Sequence, residues 1–332
     1  MGMLRPASAP VELHRPFKRR RLKNVPVLPT LLTLGNLLCG FAAIYFCMRA
    51  VYGTAAGIDP AGTRTLHSEH LERLLPSFLA IAAWCIFGGM VFDALDGRIA
   101  RMSQRASRFG IQLDSLADVI TFGVAPAILI IAAITQSRHG WEATPLTPDA
   151  IGRGRWLLVA VYVACAAIRL ARFNVETGVE ESAHRSFKGL PSPAAAGVVA
   201  SLIVLHERLH FWHVLGGSVP ATRINDALVH LMPLVSLLLG LMMVSRMPYS
   251  HLIGTYLRGR RPISHLALGV AMFILLVTSP EITLAVGFVT YALTGPIRWG
   301  IRMAVGRPSL AGTAGRPENR PAVERPGAER IA

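Results

Sequence analysis

Eight apolar segments divide this chain, and most approach the ~20 residues that a helix needs to cross the hydrocarbon core of a bilayer. They fall at about 27–48, 75–95, 113–135, 156–174, 191–206, 229–246, 263–279 and 281–297. The third is interrupted near Gly123 and Pro126, the fifth is short, and the last two are separated only by the turn Ser279 to Glu281. The expected fold is therefore all-α, a polytopic transmembrane helical bundle of about eight helices. Composition agrees. Hydrophobic residues make up 52% of the 332 and charged residues only 16%, against roughly a quarter charged in a soluble domain.

The net charge of +15 raises the question of nucleic acid, but its distribution points to lipid. Basic residues cluster in the N-terminal tail (Arg15, Lys18, Arg19, Arg20, Arg21, Lys23) and between apolar segments. Such clusters suit anionic headgroups, and the chain shows no zinc spacing and no basic helix with interleaved aromatics. Placing the basic tail inside, by the positive-inside rule, puts Arg98, Arg101, Arg105 and Arg108 on the cytoplasmic side, along with Arg258, Arg260 and Arg261. Both termini are then expected to be cytoplasmic. Three regions follow: a basic tail at 1–25, a transmembrane domain at 26–305, and a tail at 306–332. The last is rich in Pro, Gly, Arg and Glu and is expected to be disordered. The N-terminus lacks a clear cleavage site, so the first apolar segment reads as a retained anchor. The cysteines, Cys39, Cys47, Cys85 and Cys165, lie within apolar segments and form no C-x-x-C pair. They read as small buried residues. His206 and His210 share a helix face, but no other residue joins them in a metal set.

The chemistry concentrates between Asp93 and Asp118, in the run DALDGRIARMSQRASRFGIQLDSLAD. Asp93 and Asp96 are three residues apart, and Asp114 and Asp118 four apart, so each pair shares a helix face. A short cytoplasmic connection makes the two helices antiparallel neighbours, and the four carboxylates then converge near the cytoplasmic surface. Ionisable groups at membrane depth are costly and functional by default. A proton relay in a transporter is one use for such groups, but it predicts charges spread along a pathway rather than crowded at one end. One or two divalent cations relieve the mutual repulsion. Hard oxygen ligands suit magnesium or manganese, which share their coordination with substrate phosphates, and a two-metal site stabilises an in-line displacement at phosphorus. Gly97 and Ala100 let a phosphate or nucleotide approach the backbone, Gly110 can do the same, and Arg101 can bind phosphate.

The pattern D-x2-D-G-x2-A-R-x8-G-x3-D-x3-D is complete here: Asp93, Asp96, Gly97, Ala100, Arg101, Gly110, Asp114 and Asp118. It resembles the CDP-alcohol phosphatidyltransferases. Segments 30–44, 113–127, 169–174, 188–197 and 242–249 are similar to the branch that uses serine. The resemblance covers about residues 27–250. The chain departs from that branch at Pro29-Thr30, where Pro-Asn is common, and at Pro248-Tyr249, where the order is usually reversed. Neither change touches a carboxylate, and both bear on lipid or acceptor preference.

The resemblance implies a six-helix core and transfer of the phosphatidyl group from CDP-diacylglycerol to L-serine, giving phosphatidylserine and CMP. Glycerol phosphate, inositol phosphate or choline are the alternative acceptors. It implies Asp93, Asp96, Asp114 and Asp118 as ligands of Mg2+ or Mn2+, two ions per site, with Asp118 completing the metal site or acting as general base. Asn36, Gly97, Arg101 and Gly110 would line the CDP-lipid site. Arg169, Arg172, Asn174 and Lys188 would serve the acceptor or a phosphate, the arginines being apt carboxylate partners. It further implies a homodimer in the cytoplasmic membrane of a bacterium, with the active site facing the cytoplasm.

Overall fold

The computed structural model describes residues 27–55, 77–103, 108–136, 146–147, 149–177, 189–214, 219–247, 249 and 263–304. They form α1 (Val27–Ala55), α2 (Phe78–Ser103), α3 (Arg108–Asp118), a π-helical segment (Val119–Val124), α4 (Ala125–Gln136), α5 (Ala150–Thr177), α6 (Ser192–Val214), α7 (Val219–Val244), α8 (Ile263–Thr278) and α9 (Pro280–Ala304). Since α3, the π segment and α4 follow one another without a break, the described residues form eight rods where eight apolar segments were expected. No strand occurs among the described residues. The tails assigned to 1–25 and 306–332 lie outside the described residues.

Among the described residues, five stretches are long and apolar enough to cross a membrane: Leu28–Tyr52, Phe78–Ile99, Phe109–Gln136, Ala150–Val175 and Ile224–Val244. This is the pattern of an integral membrane protein. The fifth expected helix is longer than its apolar pattern, for α6 runs on to Val214 through His206, Glu207 and Arg208. Those polar residues ended the hydropathy signal without ending the helix. Arg208 pairs across to Glu281 of α9 at 3.0 Å.

The helices are built for lipid. On α1 the buried positions are Thr33, Asn36, Gly40, Ala43, Cys47 and Ala50, while Leu31, Leu34, Leu38, Phe41, Tyr45, Met48 and Tyr52 are exposed. Both sets recur every three or four residues, so they are opposite faces of one helix. The large apolar side chains point outwards and the small and polar ones inwards, the reverse of a soluble protein. Lipid supplies no hydrophobic drive for helix association. Close approach of small residues and hydrogen bonds between helices supply it instead.

α1 packs along α2 and also touches α3, the π segment and α4, so it forms a wall shared by the helices that carry the carboxylates. Glycines set the spacing. A β-carbon at Gly40 would lie 2.9 Å from Thr121 Cα, and one at Gly89 of α2 would lie 2.9 Å from Asn36 Oδ1. The π segment falls just before Pro126, where the sequence predicts an interruption. The amide of Ala125 donates to the carbonyl of Ile120, five residues back. Pro126 has no amide hydrogen for the carbonyl of Phe122, four residues earlier. That carbonyl accepts a 2.8 Å bond from the Tyr162 hydroxyl of α5. The chain therefore crosses the irregularity as a continuous, buried rod.

Gly40→Ala is expected to lower the unfolding temperature of the purified protein in detergent. The clash with backbone at Thr121 costs on the order of 1–3 kcal/mol and outweighs the roughly 1 kcal/mol helix preference for Ala. Gly287→Ala on α9, where an added methyl meets nothing within 4 Å, should leave that temperature unchanged or raise it.

Candidate active site

The last turns of α2 carry Asp93 and Asp96, and α3 carries Asp114 and ends at Asp118. Asp93, Asp114 and Asp118 each offer a carboxylate oxygen, and these oxygens lie within 4.8 Å of one another. Asp96 stands slightly apart from this trio. It is buried, accepts a hydrogen bond from Thr33 Oγ1 of α1 at 3.0 Å, and remains within electrostatic reach of Asp114 and Asp118. The two helices thus bring together side chains up to 25 positions apart in sequence, as the spacing predicts.

The shared wall hydrogen-bonds two of the carboxylates, Asp96 and Asp118. Asn36, fully buried, donates through Nδ2 to Asp118 Oδ1 at 3.1 Å. The backbone carbonyl of Asn36 in turn accepts from Thr121 Oγ1 at 3.0 Å. Thr33 and Asn36 are three apart on one face of α1, so a single helix turn addresses one Asp on α2 and one on α3. Neither threonine stood out in the sequence. The signal for Thr33 was its helical spacing from Asn36 on a face otherwise lined by small residues. Thr121 carried no local signal.

A group of like charges in a membrane interior needs compensation. An Asp at the centre of a membrane helix costs about 2.5–3.5 kcal/mol by insertion scales. Asp114 Oδ1 is buried and has no hydrogen-bond partner among the described residues. Three hard, anionic oxygens in close array, on a trio in which Asp114 also has a buried oxygen without a donor among the described residues, fit a divalent cation such as Mg2+ or Mn2+. Next to Asp96 on α2, a β-carbon at Gly97 would meet nothing within 4 Å among the described residues. Gly110 lies one turn before Asp114 on α3. Arg101 belongs to the end of α2, but its side chain is outside the described residues.

The acceptor candidates separate into different positions. Arg169 of α5 donates from Nη1 to Ser192 Oγ at the start of α6, 2.9 Å away. It lies within electrostatic reach of Asp118. Its Nε is buried with no partner among the described residues. Arg172 follows on α5 and is partly buried. Asn174 is engaged elsewhere: its Nδ2 donates to Ser115 Oγ at 2.8 Å, tying α5 to α3 beside Asp114. Lys188 lies outside the described residues. Ser115 and Ser192 are further participants that sequence reasoning passed over.

Comparison with known proteins agrees with this geometry. The model of the CDP-alcohol phosphatidyltransferase family matches residues 26–231, which include all four aspartates. The chain is 32% identical over 219 residues to the CDP-diacylglycerol–serine O-phosphatidyltransferase of Helicobacter pylori, covering 66% of this chain and 79% of the relative. It is 31% identical over 191 residues to the protein of that name from Mycobacterium leprae, covering 57% and 50%. Over 138 residues it is 38% identical to the archaetidylserine synthase of Methanothermobacter thermautotrophicus, covering 40% and 52%. By its carboxylate array and by the match of most of its length, the chain belongs to the CDP-alcohol phosphatidyltransferase family.

Proposed function

We propose that this enzyme transfers the phosphatidyl group of CDP-diacylglycerol to the hydroxyl of L-serine, giving phosphatidylserine and CMP. The observation that carries the reading is the meeting of Asp93, Asp114 and Asp118 from two membrane helices, with oxygens within 4.8 Å. The choice of serine rests on the names of the relatives, several of which are serine O-phosphatidyltransferases.

Exposure beside the carboxylates supports lateral entry of the lipid. Leu95 and Leu116, which neighbour Asp96 and lie between Asp114 and Asp118, are 42% and 63% exposed. Acyl chains can stay in the bilayer while the pyrophosphate reaches the carboxylates. With the basic N-terminal tail inside, that end of the bundle faces the cytoplasm, where serine and the released CMP are soluble.

Asp93, Asp96, Asp114 and Asp118 would hold one or two divalent cations, which when bound neutralise the pyrophosphate and stabilise charge on the departing phosphate oxygen. The flank at Gly97, with Gly110 and Arg101, would seat the nucleotide. Asn36 acts as a positioning residue, fixing Asp118 so that its free oxygen faces the acceptor. Asp118 takes the proton of the serine hydroxyl as that oxygen forms its bond to the lipid-bearing phosphorus. The bond from that phosphorus to the bridging oxygen breaks, and CMP leaves with the electron pair. Arg169, beside Asp118, meets the carboxylate of serine. The residues contribute chiefly by placing reactants and by matching charge.

The test is CMP release from CDP-diacylglycerol by detergent-purified protein with Mg2+ or Mn2+ and a panel of alcohols. Serine-dependent release is expected, with Asp118→Asn reducing it by about 100-fold or more. Release that depends only on another alcohol contradicts the serine assignment, and near-normal rates in Asp118→Asn contradict the base. In the same assay Asn36→Ala should fall by about 10–100-fold, the usual effect of removing a group that orients a metal ligand. Wild-type rates in Asn36→Ala would remove its positioning role.

A further inference from the structure

α9 lies beyond the residues matched by the family model, which end at 231, yet it packs directly on α6, a helix of the catalytic bundle. Two contacts fix how it lies. Arg208 late in α6 pairs with Glu281 at the start of α9. Gly197 early in α6 receives the ring of Phe288, so closely that no β-carbon would fit there. The two helices are therefore antiparallel. Advancing along α9 from Phe288 retreats along α6 towards its first turn. Tyr291 is three residues past Phe288 and on the same face, and so lies towards the Ser192 end of α6.

Ser192 is the residue to which the Arg169 guanidinium donates, at 2.9 Å. Tyr291 lies within electrostatic reach of Arg169, and Arg169 of Asp118. Arg169 thus has one nitrogen on Ser192, a buried Nε without a partner among the described residues, and both Asp118 and the Tyr291 phenol within electrostatic reach. A buried guanidinium with an unused donor is suited to a carboxylate, which takes two parallel hydrogen bonds from it. The remaining lone pairs of such a carboxylate need donors as well, and a phenol hydroxyl can supply one.

Tyr249 packs on the same stretch of α9, whose register is set by the Arg208–Glu281 pair and the Phe288–Gly197 contact. Its hydroxyl donates to the carbonyl of Ala292 at 3.0 Å, its ring sits 5.9 Å from that of Tyr291, and it packs against Gly295. Burial pushes the Tyr249 phenol up to about 12, so it remains a protonated donor at neutral pH.

We infer that Tyr291 is an acceptor-binding residue, closing with Arg169 and Ser192 a pocket for the carboxylate of the amino-acid acceptor. α9 is then part of the active site rather than an accessory span. This rests on the serine reading above. It adds that recognition of the acceptor carboxylate depends on a helix outside the matched core, while the site of phosphoryl transfer does not.

The experiment uses full-length protein in lipid nanodiscs and compares wild type, Tyr291→Phe and Tyr249→Phe. The readouts are KM for serine, KM for CDP-diacylglycerol, and inhibition by L-alanine, which keeps the carboxylate but lacks the reacting hydroxyl. Tyr291→Phe should raise the serine KM and the L-alanine inhibition constant by about tenfold, as expected for one hydrogen bond to a charged group. The KM for CDP-diacylglycerol should hold. Tyr249→Phe keeps the ring beside Tyr291 and the contacts that set the register, and should leave serine and alanine binding unchanged, which separates the hydroxyl of Tyr291 from loss of a neighbouring phenol on α9. Three outcomes overturn the inference: serine and alanine binding unaltered in Tyr291→Phe, a rise in the KM for CDP-diacylglycerol instead, or equal effects from both variants. A wild type with no serine-dependent CMP release defeats the serine reading itself, and the inference with it.

Discussion

Carboxylates crowded at the ends of two membrane helices repel one another, and the rest of this structure is arranged around that fact. At separations of up to 4.8 Å, two full negative charges oppose each other by about 3.5 kcal/mol or more at an effective dielectric constant near 20, and the trio contains three such pairs. Hydrogen bonds from the protein offset only part of this. Thr33 serves Asp96 and Asn36 serves Asp118, whereas Asp114 Oδ1 has no donor among the described residues. On the proposed function, cations and the pyrophosphate of the substrate would complete the compensation, so that substrate binding and charge compensation would be the same event.

Holding the array costs packing freedom elsewhere. α1 must lie close to α2 and to the π segment for its amide and hydroxyl to reach the carboxylates, which is why glycine stands at Gly40 and Gly89. The π segment begins immediately after Asp118. It turns Thr121 onto the carbonyl of Asn36, and the Tyr162 hydroxyl caps the carbonyl of Phe122. A helix irregularity, two glycines and three polar side chains together keep Asp118 in place. The outward faces of the same helices are left to Leu, Phe and Met, which meet lipid and need no fixed partner.

The parts of this design that could be read in the sequence are those governed by short-range periodicity. Apolar runs gave the rods, because one dimension of a membrane helix is set by bilayer thickness. The three- and four-residue spacings of Asp93, Asp96, Asp114 and Asp118 predicted convergence, because their two helices are neighbours in sequence. The far end of α6 was missed because Glu207 and Arg208 look like a boundary until Glu281 is known to face Arg208. Asn36 was noticed as a polar residue in an apolar helix, but its hydrogen bond to Asp118 joins residues 82 positions apart. Ser192 and Tyr291 likewise acquire meaning only through the antiparallel register of α6 and α9, which no local pattern encodes.

The central claim is that Asp93, Asp114 and Asp118 form one cation site completed by the nucleotide. The most direct measurement is Mn2+ binding to the purified protein, followed by electron paramagnetic resonance with and without CDP. A shared site requires that CDP tighten Mn2+ binding and that Mn2+ tighten CDP binding by the same factor, with both effects lost in Asp93→Asn and in Asp114→Asn. Mn2+ affinity that ignores CDP, or that survives both substitutions in folded protein, would contradict it.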